Sequence, residues 1–133
     1  MSEKLADLVF FALDHGINSI GEGGPLIPFI VYEKDGKRSL HRYCADTLEE
    51  SVKQARLAAS RLPMDVSACA IAYDGNVKLK DAKSDAIIVE GTERGKLSGI
   101  KLAQRYSPKA LLRRFAKVGN PLHLGDCKSV LTS

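Results

Sequence analysis

Two histidine–cysteine pairs raise the first chemical question: His41 with Cys44, and His123 with Cys127. Imidazole and thiolate are the usual ligands of a tetrahedral zinc ion, which needs four of them at about 2.0–2.3 Å. His41 and Cys44 lie three residues apart on an expected strand, so their side chains point to opposite faces. His41 then reads as a surface strand residue and Cys127 as a tail thiol, and no metal is assigned. Nucleophilic catalysis would need a Ser or Cys beside a base, and no nucleophile elbow or cysteine-protease signature occurs. His15 falls at the end of an expected helix, where an imidazole complements the helix dipole. Asp74, Asp81 and Asp85 cluster near turns, as aspartate does when it hydrogen-bonds the backbone. Glu90 and Glu93 bracket another turn without calcium-loop spacing. No catalytic and no cofactor-binding residue follows.

The glycine-rich stretch Ile17 to Pro25 is the remaining small-molecule candidate. A phosphate-cradling loop follows a strand and opens a helix, whose first N–H groups bind the anion. This one follows a helix and precedes a strand, and it lacks a Gly-Lys-Ser/Thr run. It is expected to be a mobile connector, with a ligand or enzymatic cleft beside Gly21–Pro25 as an alternative.

Charge is distributed unevenly. The formal net charge is +4, yet residues 1–93 carry eleven Lys/Arg against fifteen Asp/Glu, and residues 94–133 carry nine against the single Asp126. A basic segment of this kind suits an anionic partner or the acidic part of a second copy. Lys101, Arg105, Lys109, Arg113, Arg114 and Lys117 are the candidate anion or nucleic-acid contacts. Against nucleic acid stand a 6% aromatic content, no tryptophan and no recognisable binding signature.

The elements that position these residues follow from periodicity and turn chemistry. Leu5, Leu8, Val9 and Ala12 recur at helical spacing over Glu3 to Asp14, with Ser2 as cap and Gly16 as terminator. Phe10, Phe11 and Leu13 add apolar bulk outside that stripe and are the candidate oligomer contact. Phe29–Glu33 and Lys37–Tyr43 flank Asp35-Gly36, the strongest short hairpin signal, and the polar second arm reads as an edge strand. Thr47 and Glu50 form a capping box for a helix over Leu48–Leu62, stopped by Pro63. Strands are expected over Ala68–Tyr73, covered on both faces, and over Val77–Lys80 after a tight turn at Asp74-Gly75-Asn76. Two more follow over Asp85–Glu90 and Lys96–Arg105, the last bent by a bulge at Ser98-Gly99. Ser107-Pro108 opens a final helix over Lys109–Val118, and the tail near 122–133 is expected to be partly disordered or docked on a neighbour.

The chain of 133 residues is thus expected to be a single α+β domain: a mainly antiparallel sheet of five to six strands against two or three helices, in the order α-ββ-α-ββββ-α. No apolar run reaches the ~18–20 residues of a membrane span, and a short basic helix owed to a sheet gives no membrane association. The apolar run Leu8–Leu13 is too short and too acidic in its flanks for a secretory signal. Three widely spaced cysteines suit reduced thiols, so a cytoplasmic location is expected. The expected function is a non-catalytic macromolecule-binding or adaptor domain that self-associates as a homodimer or binds another protein. Nucleic-acid binding through residues 94–119 and the small-molecule cleft are the alternatives.

Overall fold

Ser2 starts the first helix by accepting a hydrogen bond from the Leu5 backbone N–H at 3.1 Å, and α1 then runs over Glu3–Gly21. The computed structural model describes residues 1–80, 82–108 and 114–131. Six strands follow in one sheet: β1 (Phe29–Lys34), β2 (Lys37–Arg42), β3 (Ala68–Leu79), β4 (Ala82–Glu93), β5 (Ser98–Ser107) and β6 (Ala116–Lys128). The second helix, α2 (Leu48–Ser60), lies between β2 and β3 in the chain. The order across the sheet is β2-β1-β3-β4-β5-β6, and every pairing is antiparallel. The α+β class and the order α-ββ-α-ββββ are as the sequence indicates.

Strand alternation sends side chains to two faces, and a different helix covers each. Phe29, Val31, Ala70, Ala72, Ile87, Val89 and Leu102 meet Leu5, Leu8, Val9, Ala12 and Leu13 of α1. On the other face Ile30, Cys69 and Ile71 meet Ala55 and Ala59 of α2, with Leu131 completing the cluster. The alanines let α2 lie close to the sheet. The body of α2 lies over β1 and β3, and only the long Arg56 side chain extends to β4. Beyond the helix the same face of β3, β4 and β5 therefore carries a third, smaller cluster of Val77, Ala86, Ile88 and Ala103, packed by Tyr73 and Leu122.

Local expectations hold where turn chemistry decides. Asp35 at φ 53° and Gly36 at φ 75° make the hairpin between β1 and the edge strand β2. Thr47 caps α2 by accepting from the Glu50 N–H at 3.1 Å. The departures come where a glycine serves packing instead of a turn. Gly16 does not end α1, because it is the point where the helix touches the sheet: a Cβ there would lie 2.7 Å from Ile87 Cγ2. Residues 17–21 of the expected mobile loop are therefore helix, and Ile17 is buried. Gly75 makes no turn either. Ile88 fills the space above it, a Cβ would meet Ile88 Cδ1 at 2.7 Å, and β3 runs unbroken from Ala68 to Leu79. The chain reverses instead after Leu79, with Lys80 at φ 51°.

The C-terminal third departs furthest. Lys109–Arg113 of the expected final helix lie outside the described residues, but Ala116–Val118 belong to β6. The tail from 122 is paired strand as far as Lys128, followed by the buried Ser129 and Leu131. The register of β5 with β6 shifts between Lys101 and Leu102 and again between Ala103 and Arg105. Those irregularities, with glycines at 119 and 125 in positive φ, broke the alternation that would have signalled a strand. The bulge expected at Ser98-Gly99 does not form: both residues pair in regular register with Lys128 and Cys127, and the extra residues at the two shifts belong to β6.

Candidate functional site

Because the body of α2 stops short of β4, which only the Arg56 side chain reaches, a groove of about 710 Å³ opens between the helix and the far end of the sheet. Lys53, Arg56, Leu57 and Ser60 of α2 form one wall, Glu90 and Lys101 contribute from the sheet, and Cys127 to Val130 form the opposite side. Leu131 anchors that side by inserting, 1% exposed, into the α2 cluster.

Glu90 is the one carboxylate in the lining, and it is already engaged. Its side chain is 5% exposed, and an ionised carboxylate can stay there only if its oxygens are paired. Arg56 donates Nε–H to Oε1 at 3.0 Å and Nη2–H to Oε2 at 2.6 Å, a bidentate fork. Tyr73 donates its hydroxyl to Oε2 at 2.5 Å. Burial pushes the Glu90 carboxyl upward, but the Arg56 and Tyr73 hydrogen bonds and the Arg56 and Lys101 charges outweigh it and hold it below the usual carboxylate range. Tyr73 is pushed up, first by burial and then by the carboxylate it donates to, so it stays a phenol.

The rest of the lining is cationic or apolar. Lys53, Lys101 and Lys128 have no carboxylate within 4.0 Å among the described residues. Leu57 is 51% exposed on the helix wall, and Val130 faces it. Burial pushes the Cys127 thiol up to about 11, so it is a neutral group at physiological pH and no nucleophile. With Glu90 held as a paired anion, Tyr73 as a phenol and Cys127 as a thiol, the described lining presents cationic charge and apolar surface.

Of the basic residues singled out in the sequence, the described ones do not gather. Lys101 lines the groove, and Arg105 shares its side of β5. Arg105 lies against Gly119 with its Nε buried and without a partner among the described residues, so it is committed to the β6 irregularity. Lys117 pairs in register with Tyr106 and so projects on the α1 side. Arg114 is exposed, and Lys109 and Arg113 lie outside the described residues. Lys53 and Lys128, absent from that set, are the ones that join Lys101. The signal that could have found them is weak: Lys53 and Arg56 are three apart on a capped helix, and nothing local ties Lys128 to either.

The apolar candidates on α1 separate likewise. Leu13 is buried in the chain's own core. Phe11 is half-buried under the Arg38 guanidinium, 4.8 Å from its ring centre, and stacks on His15 at 5.7 Å. Only Phe10, 45% exposed, remains on the surface. His41 stacks on Tyr32, and His123 and Cys127 point to opposite faces of β6. Among the described residues no three His, Cys, Asp or Glu side chains are grouped to hold a metal ion, and no helix is long and apolar enough to cross a membrane. Gly21, at the head of the glycine-rich stretch, packs toward Phe115, and residues 21–25 do not line the groove.

The chain is an α+β protein with a mixed basic and apolar groove on one face of its sheet. No protein-family model matches it, and no curated protein and no solved structure shows significant similarity.

Proposed function

We propose that this chain is a non-catalytic binding domain that receives an acidic, partly apolar segment of a partner protein in the groove between α2 and β6. The observation that carries this reading is the charge left over in the lining. Glu90 is consumed by Arg56 and Tyr73, which leaves Lys53, Lys101 and Lys128 without a paired carboxylate among the described residues, beside the apolar Leu57 and Val130. Complementary charge of this kind speeds encounter and sets orientation, while the apolar wall supplies contact area. Nucleic acid is the weaker partner, because Lys101 and Lys117 project from opposite faces and the described groove lining contains no aromatic ring on which a base could stack.

The test is fluorescence anisotropy with a labelled peptide alternating Glu and Leu. Binding should weaken with salt, and Lys53→Glu with Lys128→Glu should reduce it by at least about tenfold. Lys117→Glu, on the α1 side, should change it less than about twofold. Equal loss from Lys117→Glu, or no binding at low salt, refutes the assignment. Sedimentation over a range of concentrations tests the second partner the sequence raised, another copy of the chain.

A further inference from the structure

Resting on that acidic-segment reading, we infer that the end of the groove beside Lys101, Lys128 and Ser129 is a phosphoryl subsite, so that the preferred partner segment carries a phosphorylated side chain. Three features of the lining lead there. The first is the donor set. A carboxylate is planar, carries one charge and is best matched by the fork of a guanidinium. The groove holds one guanidinium, and Arg56 already spends its fork on Glu90. What remains are ammonium groups, which act as mobile point charges and suit a compact dianion with several acceptor oxygens.

The second is Ser129. It lines the groove, is 4% exposed, and its hydroxyl has no hydrogen-bond partner among the described residues. A buried hydroxyl left without a partner costs about 1–3 kcal/mol. The Oγ is sealed just beneath the lining, and a rotation of the short side chain toward the groove would bring it to a ligand oxygen seated at this end.

The third is the absence of competing negative charge among the described residues of that lining. Glu90 is turned into the Arg56 fork, and Cys127 is neutral. A dianion entering here meets lysines and a hydroxyl donor. The groove is open along α2, past the exposed Leu57, so the phosphate can belong to a side chain on an extended segment whose apolar neighbours lie on that wall.

The experiment uses the whole protein and two versions of one labelled peptide, Glu/Leu-rich with a single central serine, unmodified and phosphorylated. The phosphorylated form should bind at least about tenfold tighter. Lys101→Gln with Lys128→Gln should cut that preference below about twofold, and Ser129→Ala should lower it severalfold. Should the double variant unfold by circular dichroism, Lys53→Gln, on the exposed side of α2, should reduce the same preference. Equal affinity for the two peptides overturns the phosphoryl subsite and leaves the acidic groove standing. Failure of both peptides to bind overturns the groove itself. A preference that survives the lysine changes overturns the location. Tighter binding of inorganic phosphate, a free nucleotide or a single-stranded oligonucleotide than of the phosphopeptide overturns the partner class.

Discussion

The two faces of the sheet are built on different principles, although both bear a helix on a strand surface rich in alanine and β-branched residues. The α1 face is sealed by large apolar side chains. Leu8, Val9, Phe29, Val31, Ile87 and Val89 are all fully buried, and Gly16 brings the helix within contact of Ile87. The α2 face is assembled largely from small residues and one half-buried ion pair. Ala55, Ala59, Cys69 and Ile71 pack under the helix, and where it ends Arg56, Tyr73 and Glu90 take over. Apolar burial and dense packing give the first face its stability. The second gives up part of that burial for a cleft with a fixed electrostatic pattern. Under the proposed binding role, that cleft is what the second face offers a partner.

Breaking the α1 face should have the largest effect. Leu8→Ala removes a fully buried side chain from a face with little freedom to collapse, and it should cost about 3–4 kcal/mol in denaturant unfolding. Leu57→Ala, on the exposed wall of the groove, should cost less than about 0.5 kcal/mol by the same measurement. If the two losses were similar, the division of labour between the faces would be wrong.

The ion pair comes next. Arg56→Ala strands the buried Glu90 carboxylate and should cost about 2–3 kcal/mol, less than a fully buried pair because the arginine side chain is itself 45% exposed. The combined Arg56→Met and Glu90→Leu variant should recover most of that loss, since neither charge is left unpaired. A double-mutant cycle in urea separates the two cases. Additive losses would show that the pair is not coupled as its geometry requires.

Acid distinguishes the faces more finely. On the α1 face, burial first and then the Arg42 charge lower His15 from 6.5. Its folded value lies below its unfolded one, so its contribution is complete above about pH 6.5 and is lost as the pH falls through the folded value. On the α2 face, Glu90 lies below its ordinary 4.5, so its contribution is present above that value and disappears only at lower pH. Glu93, held low chiefly by Ser2, titrates in the same lower window. Stability measured against pH should therefore fall in two stages. His15→Phe should remove the first and Glu90→Gln should flatten the second, and a single stage insensitive to both substitutions would contradict the assignment.

The smallest effect is on rates. Cys44 is exposed, Cys127 is half-buried at the groove and Cys69 is sealed beneath α2. Burial pushes both Cys69 and Cys127 up to about 11. At pH 8 a thiol reagent should label Cys44 first, Cys127 about ten- to a hundredfold more slowly, and Cys69 only on unfolding. Bound acidic peptide should slow Cys127 further and leave Cys44 unchanged.

Much of this arrangement is legible in local residue patterns. Asp35-Gly36 announces its hairpin, Thr47 and Pro63 bracket α2, and the polar Lys37–Arg42 reads as the edge it is. Ala68–Tyr73 reads as a strand covered on both faces, and it is one. The misreadings share a cause. Gly16 and Gly75 resemble a terminator and a turn because a glycine that makes room for a distant side chain looks the same in sequence as one that bends the chain. β6 is hidden for a related reason: its irregular register against β5 and its buried Gln104 prop, which donates to the Val118 and Gly119 carbonyls, erase the two-residue alternation. The site was harder still, because of its lysines only Lys101 is among the six basic residues that the sequence singles out.

What the sequence determined by itself is what neighbouring residues can enforce: caps, the hairpin turn, the faces of α1 and α2, and the α+β class. Tertiary structure alone decided where α2 stops over the sheet, that Arg56 meets Glu90 thirty-four positions away, and that Leu131 returns to the α2 cluster. It also brought Lys53, Lys101 and Lys128 around one cavity. Capping and turn preferences act within a few residues and leave a local mark. The groove exists because antiparallel pairing and side-chain packing bring together segments far apart in the chain, and no spacing in the sequence records which distant residues will meet.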